Sequence, residues 1–391
     1  MILIAVAALA WVLAYWIGGK PLYLLAYGAL AVLALAWGVG RRPLPLEGVR
    51  ADMRARVREG DEMSITVALT AQRRLSNLIL EEQVPTMLGE NARLPIATLE
   101  SGESADHQYS LVAWRRGSYQ LGPLVARWGD PFGLTERSLE LAEKFEVLVH
   151  PRVEPVDSHA LTRLWEDPPF RPPVSKPWPH GMEFYGMRRY APGDDLRKIV
   201  WRAYARTGNL LVRESEQGIT DKVVLIFDQD AEFHTKGIVS DSFEAACRVA
   251  ASLGVHHLRE GYSLTLEGST ERLVGPLRGP SSAIRLLDTL SRAEPLKGSL
   301  SEMMNRLLLS IPRDAHVILI TPRLDANAAA RLRLLVDRGM SVLVVALMWL
   351  DDAVDSLASA AGLGVHVVEV GPNTNTTMAF RREVASAKAV R

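Results

Sequence analysis

The sequence predicts a membrane-anchored multidomain protein: a two-helix transmembrane hairpin, a β-sandwich, and a doubly wound α/β domain of Rossmann type. Three observations predict this. The first forty residues hold two apolar runs, Met1 to Ile17 and Leu22 to Val39, with no charge inside either. Between residues 48 and 150, short stretches alternate apolar and polar residues and are punctuated by turn signals, the period of half-buried strands. From residue 221 onward, short apolar runs alternate with stretches of helical period, as in a mostly parallel sheet covered on both faces.

Composition narrows the function classes. At 391 residues the chain has room for two or three domains. Lys plus Arg (45) balances Asp plus Glu (45), so no global basic field recommends nucleic acid as a partner. Cys247 is the single cysteine; it excludes an internal disulfide, fits a reducing compartment, and in its apolar helical setting reads as a small hydrophobe.

The hairpin, residues 1–40, comes first. Each apolar run has roughly 17–18 residues, or about 27 Å of helix, near the minimum that crosses a bilayer. Gly18-Gly19-Lys20-Pro21 is the turn between them, and no basic leader or small-residue cleavage site marks a signal peptide. Arg41 and Arg42 follow at once, and Arg50, Arg54, Arg56 and Arg58 soon after. The positive-inside rule then places both ends of the hairpin and all the soluble domains in the cytoplasm, at the inner cell membrane. Neither run contains an ionisable residue, so the hairpin is an anchor and not an ion path.

Residues 48–150 read as a β-sandwich of immunoglobulin-like type. Met63 to Thr70, Leu78 to Val84, His107 to Trp114, Gly117 to Leu121, Leu124 to Trp128 and Phe145 to Val149 are strand candidates, separated by turns at Gly60, Gly89, Gly102 and Gly129. Asp130-Pro131-Phe132-Gly133-Leu134 is a turn with a buried Phe; Pro131 removes its likeness to a kinase Asp-Phe-Gly.

Residues 151–220 form a connector. Pro168, Pro169, Pro172, Pro173, Pro177 and Pro179 crowd one short span with Trp165, Phe170 and Trp178, which favours extended polyproline-like backbone over a sheet ladder. It serves as a stiff spacer, with a docking peptide as the alternative. The run that follows, Gly181 to Glu214, is too polar for a core element and too patterned for a linker. It holds Arg188 and Tyr190, then Pro192, Gly193, Asp194 and Asp195, then Arg197, Ile199 and Trp201, then Ala205-Arg206-Thr207-Gly208 and Leu211 to Glu214. This pattern resembles the signature of the domain-of-unknown-function 58 family. It departs from it at Arg189, Val200 and Arg202, where members more often carry an acid, an acid and a lysine.

Residues 221–391 carry the α/β domain. Strands are expected at Val223 to Phe227, Tyr262 to Leu266, Val317 to Ile320, Val342 to Leu347 and Val365 to Val370. Helices are expected at Ser242 to Arg259, Ser281 to Arg292 with a serine cap, Met303 to Leu309, Ala326 to Arg338, Asp351 to Ala361 and from Thr376 onward. There is no glycine-rich phosphate loop after Phe227 and no Gly-Lys-Ser/Thr, which disfavours dinucleotides and nucleoside triphosphates as ligands. Ligands of such sheets bind at the carboxyl ends of the strands. There the first strand ends in Asp228, Asp230 and Glu232. The position resembles that of von Willebrand factor A domains, where Asp-x-Ser-x-Ser holds magnesium. Two carboxylates stand here in place of the serines, so the set either holds Mg²⁺ as a degenerate site, which would make this a divalent-metal-dependent protein-ligand-binding domain without an ATPase partner, or pairs with the signature's arginines.

Three functions follow for the signature residues Arg188, Tyr190, Gly193, Asp194, Asp195, Arg197, Trp201 and Arg206. The first is a staple in which Arg–Asp pairs fix the connector and Trp201 and Ile199 are buried anchors. The second is a protein-docking face, since Arg, Trp and Tyr dominate hot spots. Here the family resemblance implies a partner, a cytosolic MoxR-type AAA+ ATPase, and with it a non-enzymatic adaptor or scaffold in protein-complex assembly. The third is an anionic surface binder, of lipid or nucleic acid, which the embedded Asp194 and Asp195 oppose. His256 and His257 are adjacent and the other histidines scattered, so no hydrolytic or zinc constellation recommends an enzyme.

Overall fold

The structure, a computed structural model, describes residues 2–17, 19–40, 44–51, 53–129, 136–156, 177–178, 183–192, 196, 199–216, 222–234, 241–312, 315–338, 340–349, 365–372 and 376–380. It is a mixed α/β protein in two compact units, Met1–His150 and Pro151–Arg391.

The first unit begins with α1 (Ile2–Ile17) and α2 (Lys20–Gly40). The two lie against each other. Ala7, Ala10, Ala14, Ala26 and Ala36 are buried, while Tyr15, Trp16, Leu24 and Leu25 are exposed; small residues let helix backbones approach closely. Lys20–Gly38 is long and apolar enough to cross a membrane, and α1 is apolar but shorter.

Ten strands follow: β1 (Leu46–Ala51), β2 (Arg56–Arg58), β3 (Glu62–Ala71), β4 (Leu75–Glu82), β5 (Ala92–Leu99), β6 (Ser104–Val112), β7 (Gly117–Leu121), β8 (Leu124–Gly129), β9 (Glu136–Ala142) and β10 (Phe145–His150). They form sheets of order β1-β3-β6, β5-β4-β8-β9 and β2-β10-β7 around one core that includes Ile65, Leu80, Leu121 and Val147. Strand β3 alternates exposed and buried residues along its length, as its period requires. Four strands have no alternating signal: β1 and β2 are short and arginine-bearing, β5 carries Pro95 at a sheet edge, and β9 is polar and has no fully buried residue. The Asp130 to Leu134 turn lies outside the described residues.

One polar feature of this core has no period to announce it. Arg50 Nε donates to Glu82 Oε1 at 2.7 Å, and Nη1 donates to the Glu143 carbonyl at 2.5 Å. Nη2 lies 2.5 Å from the same Glu82 oxygen but off the angle of a hydrogen bond, so its share is Coulombic. Tyr109 donates to the other Glu82 oxygen. Gly122 has φ +98°, and a Cβ there would come within 2.3 Å of Arg50 Nη2, so glycine makes room for the guanidinium.

The second unit holds two sheets. The smaller, of order β11-β13-β12, joins β11 (Pro177–Trp178), β12 (Glu183–Arg189) and β13 (Leu211–Glu216), with α3 (Trp201–Thr207) between the last two. Pro177 and Trp178 pair with Glu216 and Ser215, which corrects the polyproline expectation at those two residues: an edge strand tolerates a proline that a central strand does not. Pro168 to Pro173 lie outside the described residues.

The larger sheet runs β16-β15-β14-β17-β18-β19: β14 (Lys222–Phe227), β15 (Ser263–Glu267), β16 (Arg272–Arg278), β17 (His316–Thr321), β18 (Val342–Leu347) and β19 (His366–Val370). All pairs are parallel except β15 with β16. Both faces are covered. Val223, Leu225 and Phe227 of β14 join the core beneath α4 (Asp241–Arg259) and α5 (Ala283–Arg292). Val224 and Ile226 join the core beneath α6 (Leu300–Ser310) and α7 (Ala326–Asp337). Strand β16 was not expected because Gly275 and Pro276 interrupt it.

Two details differ from expectation. A 3-10 turn over Pro280–Ser282 precedes α5, so Ser282 already has helical backbone and its hydroxyl turns back to the Arg278 carbonyl at 2.8 Å in place of capping. The expected helix at Asp351 to Ala361 lies outside the described residues, while 376–380 is helical with Ala379 and Phe380 buried. Pro151 to Val156 run over this unit as a strap. Glu154 N donates to Ser252 Oγ at 2.9 Å, and Thr376 N donates to Glu154 Oε2 at 2.6 Å.

Candidate functional site

Two places in the second unit concentrate polar chemistry. The first is the carboxyl end of the central strands. Strand β14 lies between β15 and β17, where the winding of the sheet reverses. This is the switch point at which open α/β sheets bind ligands. Asp228 follows β14, and Thr321 ends β17 beside it.

Asp228 is buried, and its oxygens are already engaged. Oδ1 accepts the Asp230 N–H at 3.0 Å, and Oδ2 lies 2.7 Å from Thr321 Oγ1. The same hydroxyl lies 2.7 Å from the Arg323 carbonyl and accepts the Arg323 N–H at 3.2 Å. It has one proton for two acceptors. A proton on Asp228 completes the set, because the carboxyl then donates to Thr321 and Thr321 donates to Arg323. Burial pushes the Asp228 pKa up to about 6; the hydrogen bonds from Thr321 and the Asp230 N–H oppose that shift, and the Asp230 and Asp325 carboxylates add to it.

The surrounding groups are equally self-satisfied. Asp230 is buried and accepts the Glu232 N–H at 3.1 Å, while Glu232 is exposed. His234 is buried, with Nε2 3.1 Å from the Asp228 carbonyl and Nδ1 3.1 Å from Ser242 Oγ. Burial lowers its pKa. The pair has the spacing of a base and a nucleophile, yet both residues are enclosed, so no substrate reaches Ser242. Gln229 donates to the Glu294 carbonyl and exchanges hydrogen bonds with Ser269. Arg323 stacks over the Phe233 ring at 4.7 Å.

The carboxylates named from sequence therefore do not present an open oxygen set. Among the described residues, no group of three His, Cys, Asp or Glu side chains is placed to hold a metal ion. Asp228 spends both oxygens, and Asp230 its Oδ1, on neighbouring N–H and hydroxyl groups, and burial raises the Asp228 pKa. That donor set does not fit a hard cation. Thr321, His234 and Ser242 carry this network and were not anticipated; the one legible signal is a Thr that closes the apolar run Val317–Ile320.

The second place is the signature. Strands β12 and β13 are antiparallel, with Arg188 opposite Val212 and Arg189 opposite Leu211. On the other side of β13, Ile199 bridges to Val212, and Val200 N donates to the Leu211 carbonyl at 2.9 Å. Tyr190 N donates to the Leu210 carbonyl at 2.9 Å, and its side chain is half-buried. Ile199 and Val212 are buried and pin the motif.

Helix α3 rises from this base. It has no side-chain N-cap and ends at Gly208 in the left-handed region, φ +69°, with the Gly208 N–H donating to the Tyr204 carbonyl. None of its residues is buried, and Ala203 alone is half-buried. Trp201 is 62% exposed and Tyr204 44% exposed. Their rings meet edge to face at 6.4 Å. Ile199 thus matches the staple expectation and Trp201 contradicts it. Both residues were expected to be buried; Trp201 instead opens α3, where Ala203 is the one half-buried position. Arg188, Arg189, Arg202 and Arg206 are exposed. Gly193, Asp194, Asp195 and Arg197 lie outside the described residues.

Comparison with known proteins places this architecture among poorly characterised relatives. A family model described as "Protein of unknown function DUF58" matches residues 186–390, from within β12 almost to the end of the chain. The "Uncharacterized protein YeaD" of Bacillus subtilis (strain 168) is 24% identical over 256 residues, which are 62% of this chain. The chain spans about three fifths, 61%, of that relative's length. A crystal structure of a Paenibacillus sp. cycloisomaltooligosaccharide glucanotransferase aligns with 81% of this chain and 52% of its own at 12% identity, with a TM-score of 0.16. A likeness that low carries no argument about fold or activity.

Proposed function

Because the family model covers more than half of its residues, the chain belongs to the DUF58 family of proteins of unknown function, and from that premise we propose that it is a membrane-anchored, non-enzymatic adaptor or scaffold that docks a cytosolic AAA+ ATPase of MoxR type through α3. One observation carries the reading. Trp201, the largest side chain of the signature, stands 62% exposed beside Tyr204 on a helix with no buried residue. A tryptophan that served only stability would be covered, whereas Trp, Tyr and Arg exposed together are the residue types of binding hot spots.

The rest of the chain supports the adaptor. Both α1 and α2 serve as membrane spans and keep the soluble units on the cytoplasmic side; the apolar surface they expose and the arginines after them favour this. The ten-stranded part is an immunoglobulin-like sandwich, supported by sheets that are antiparallel except where β2 joins β10, around one core. The second unit is von Willebrand factor A-like, supported by the doubly wound strand order and the acidic end of its first strand. Its switch point is closed by its own hydrogen bonds, which turns attention from ligand chemistry to α3.

The test is capture from native membranes with added cytosol, with and without ATP, using the detergent-solubilised full chain. An AAA+ ATPase that co-purifies with the parent and is lost from a folded Trp201→Ala variant supports docking through α3. Equal capture by both places the contact elsewhere, and no ATPase under any nucleotide condition removes the adaptor.

A further inference from the structure

The exposed groups of α3 are sorted by chemistry as well as by type. At about 100° per residue, Trp201, Tyr204 and Ala205 fall on one stripe. Arg202 and Arg206, four apart, fall on the adjacent stripe. Ala203 lies opposite and is half-buried. Arg188 and Arg189 are exposed at the end of β12, on opposite faces of the strand. The sequence from Met187 to Val212 holds five arginines and one lysine against two carboxylates, Asp194 and Asp195, a basic excess. An aromatic stripe beside an arginine stripe, both in solvent, is half of a recognition pair whose other half offers an apolar pocket and anionic groups.

We propose that the surface recognised by α3 is an acidic protein face with an apolar pocket, in which Trp201 is the anchor and Arg202 and Arg206 pair with partner carboxylates. This rests on the docking reading above and names the chemistry of its partner. Charge complementarity selects carboxylates, since Arg presents a planar fork that carboxylates match in pairs. Phospholipid headgroups offer the same negative charge. However, a fluid bilayer surface holds no apolar pocket of fixed shape beside its charges, whereas a protein face does. The edge-on Trp201–Tyr204 pair also makes a ridge, which suits a pocket better than a fluid plane. Arginine at position 202 places a fork-shaped donor where a point charge would pair less selectively.

The experiment uses the detergent-solubilised full chain and three probes: a fluorescein-labelled peptide rich in Asp, Leu and Phe, its counterpart with Lys for Asp, and phosphatidylcholine vesicles containing phosphatidylglycerol. Binding is read by anisotropy and by co-sedimentation. The expected result is that the acidic peptide binds the parent, and that Trp201→Ala and the double variant Arg202→Glu/Arg206→Glu each weaken it about tenfold or more. The charge-reversed variant then takes the lysine peptide instead, a gain that an unfolded variant does not show. Equal binding of the acidic peptide to parent and charge-reversed chain overturns the proposal. So does tight vesicle binding, lost in the same variants, with no peptide binding. The ATPase capture separates this inference from its premise. Loss with Trp201→Ala but full capture by the charge-reversed variant keeps α3 as a docking face and removes the acidic partner. Capture indifferent to both variants removes the docking face and this inference with it.

Discussion

The carboxyl end of the large sheet and the α3 surface use the same kinds of polar side chain to opposite ends. At the sheet, Asp228, Thr321, His234 and Ser242 are buried and their hydrogen bonds close on one another. At α3, Trp201, Tyr204, Arg202 and Arg206 stand in solvent. A site that has satisfied its own donors and acceptors has little left to offer a ligand, because each new bond must first break an old one. A surface that leaves an indole and arginines exposed can gain on binding. The fold's customary ligand position is thus the more inert of the two, and position in a fold is a weaker guide to function than the state of the side chains.

The sharpest way to break this contrast is to truncate one large aromatic at each place. Phe227 is fully buried against Phe243, with ring centroids 5.4 Å apart. Phe227→Ala is expected to cost about 3–5 kcal/mol of stability, read as a drop in the unfolding midpoint of the α/β unit. If it costs no more than an exposed residue does, the sheet end is not the packed structure described above.

Next in size is the charge state of Asp228. Its folded pKa is raised, to about 6. Its contribution to stability is therefore full below the ordinary carboxylate pKa near 4 and is lost as pH rises toward 6. Asp228→Asn keeps an acceptor for the Asp230 N–H and donates to Thr321. The variant should match the parent near pH 4, gain through pH 4–6, and be more stable by about 2–3 kcal/mol above pH 7. His257, which burial lowers to about 3, acts in the opposite sense. The parent loses stability from this group as pH falls below about 6.5, because only the unfolded chain takes the proton. Melting against pH for parent and variant checks both signs. Millimolar Mg²⁺ that stabilises the parent above pH 7, but not Asp228→Asn, would return a cation to this crevice.

How much of this was legible from sequence differs between the two places for a physical reason. Strands β14, β17 and β18 were read almost to the residue because both faces are covered, so their runs are apolar throughout. Strands β9 and β16 were not, since a polar edge strand and one broken by Gly275-Pro276 leave no period. Asp228 was found because it follows an apolar strand. Its partners were not: Thr321 is 93 residues away, and only the parallel register of β14 with β17 brings them together. The signature was recognised as a pattern, but its strand–helix–strand form was hidden. Strand β12 is arginine-bearing, and α3, at 7 residues, spans only two turns, so its stripes cannot be told from the flanking sequence until its ends are known. Exposure of Trp201 could not be read at all, because a Trp in a sequence reads first as core.

A smaller effect tests whether α3 is a built element. Gly208 ends it at φ +69°, with open space where a Cβ would sit. Gly208→Ala therefore meets no clash and costs only the backbone preference, about 1 kcal/mol. The cost should appear as faster amide exchange in α3 and not in β14. Uniform exchange changes across both would mean that the signature does not open independently of the large sheet.

The smallest expected stability change is the one that bears most on function. Trp201→Ala removes a ring that touches Tyr204 edge-on and is otherwise mostly in water, so little apolar burial is lost. Its cost should stay within about 0.5 kcal/mol, the range of surface substitutions, in the same melting experiment that shows the large loss for Phe227→Ala. A loss of 2 kcal/mol or more, at the scale of about 25 cal/mol per Å² of apolar surface, would mean that the indole is covered in the folded chain. The staple would then be the right account of the signature, and the contrast between a closed crevice and an open recognition surface would collapse into two structural sites.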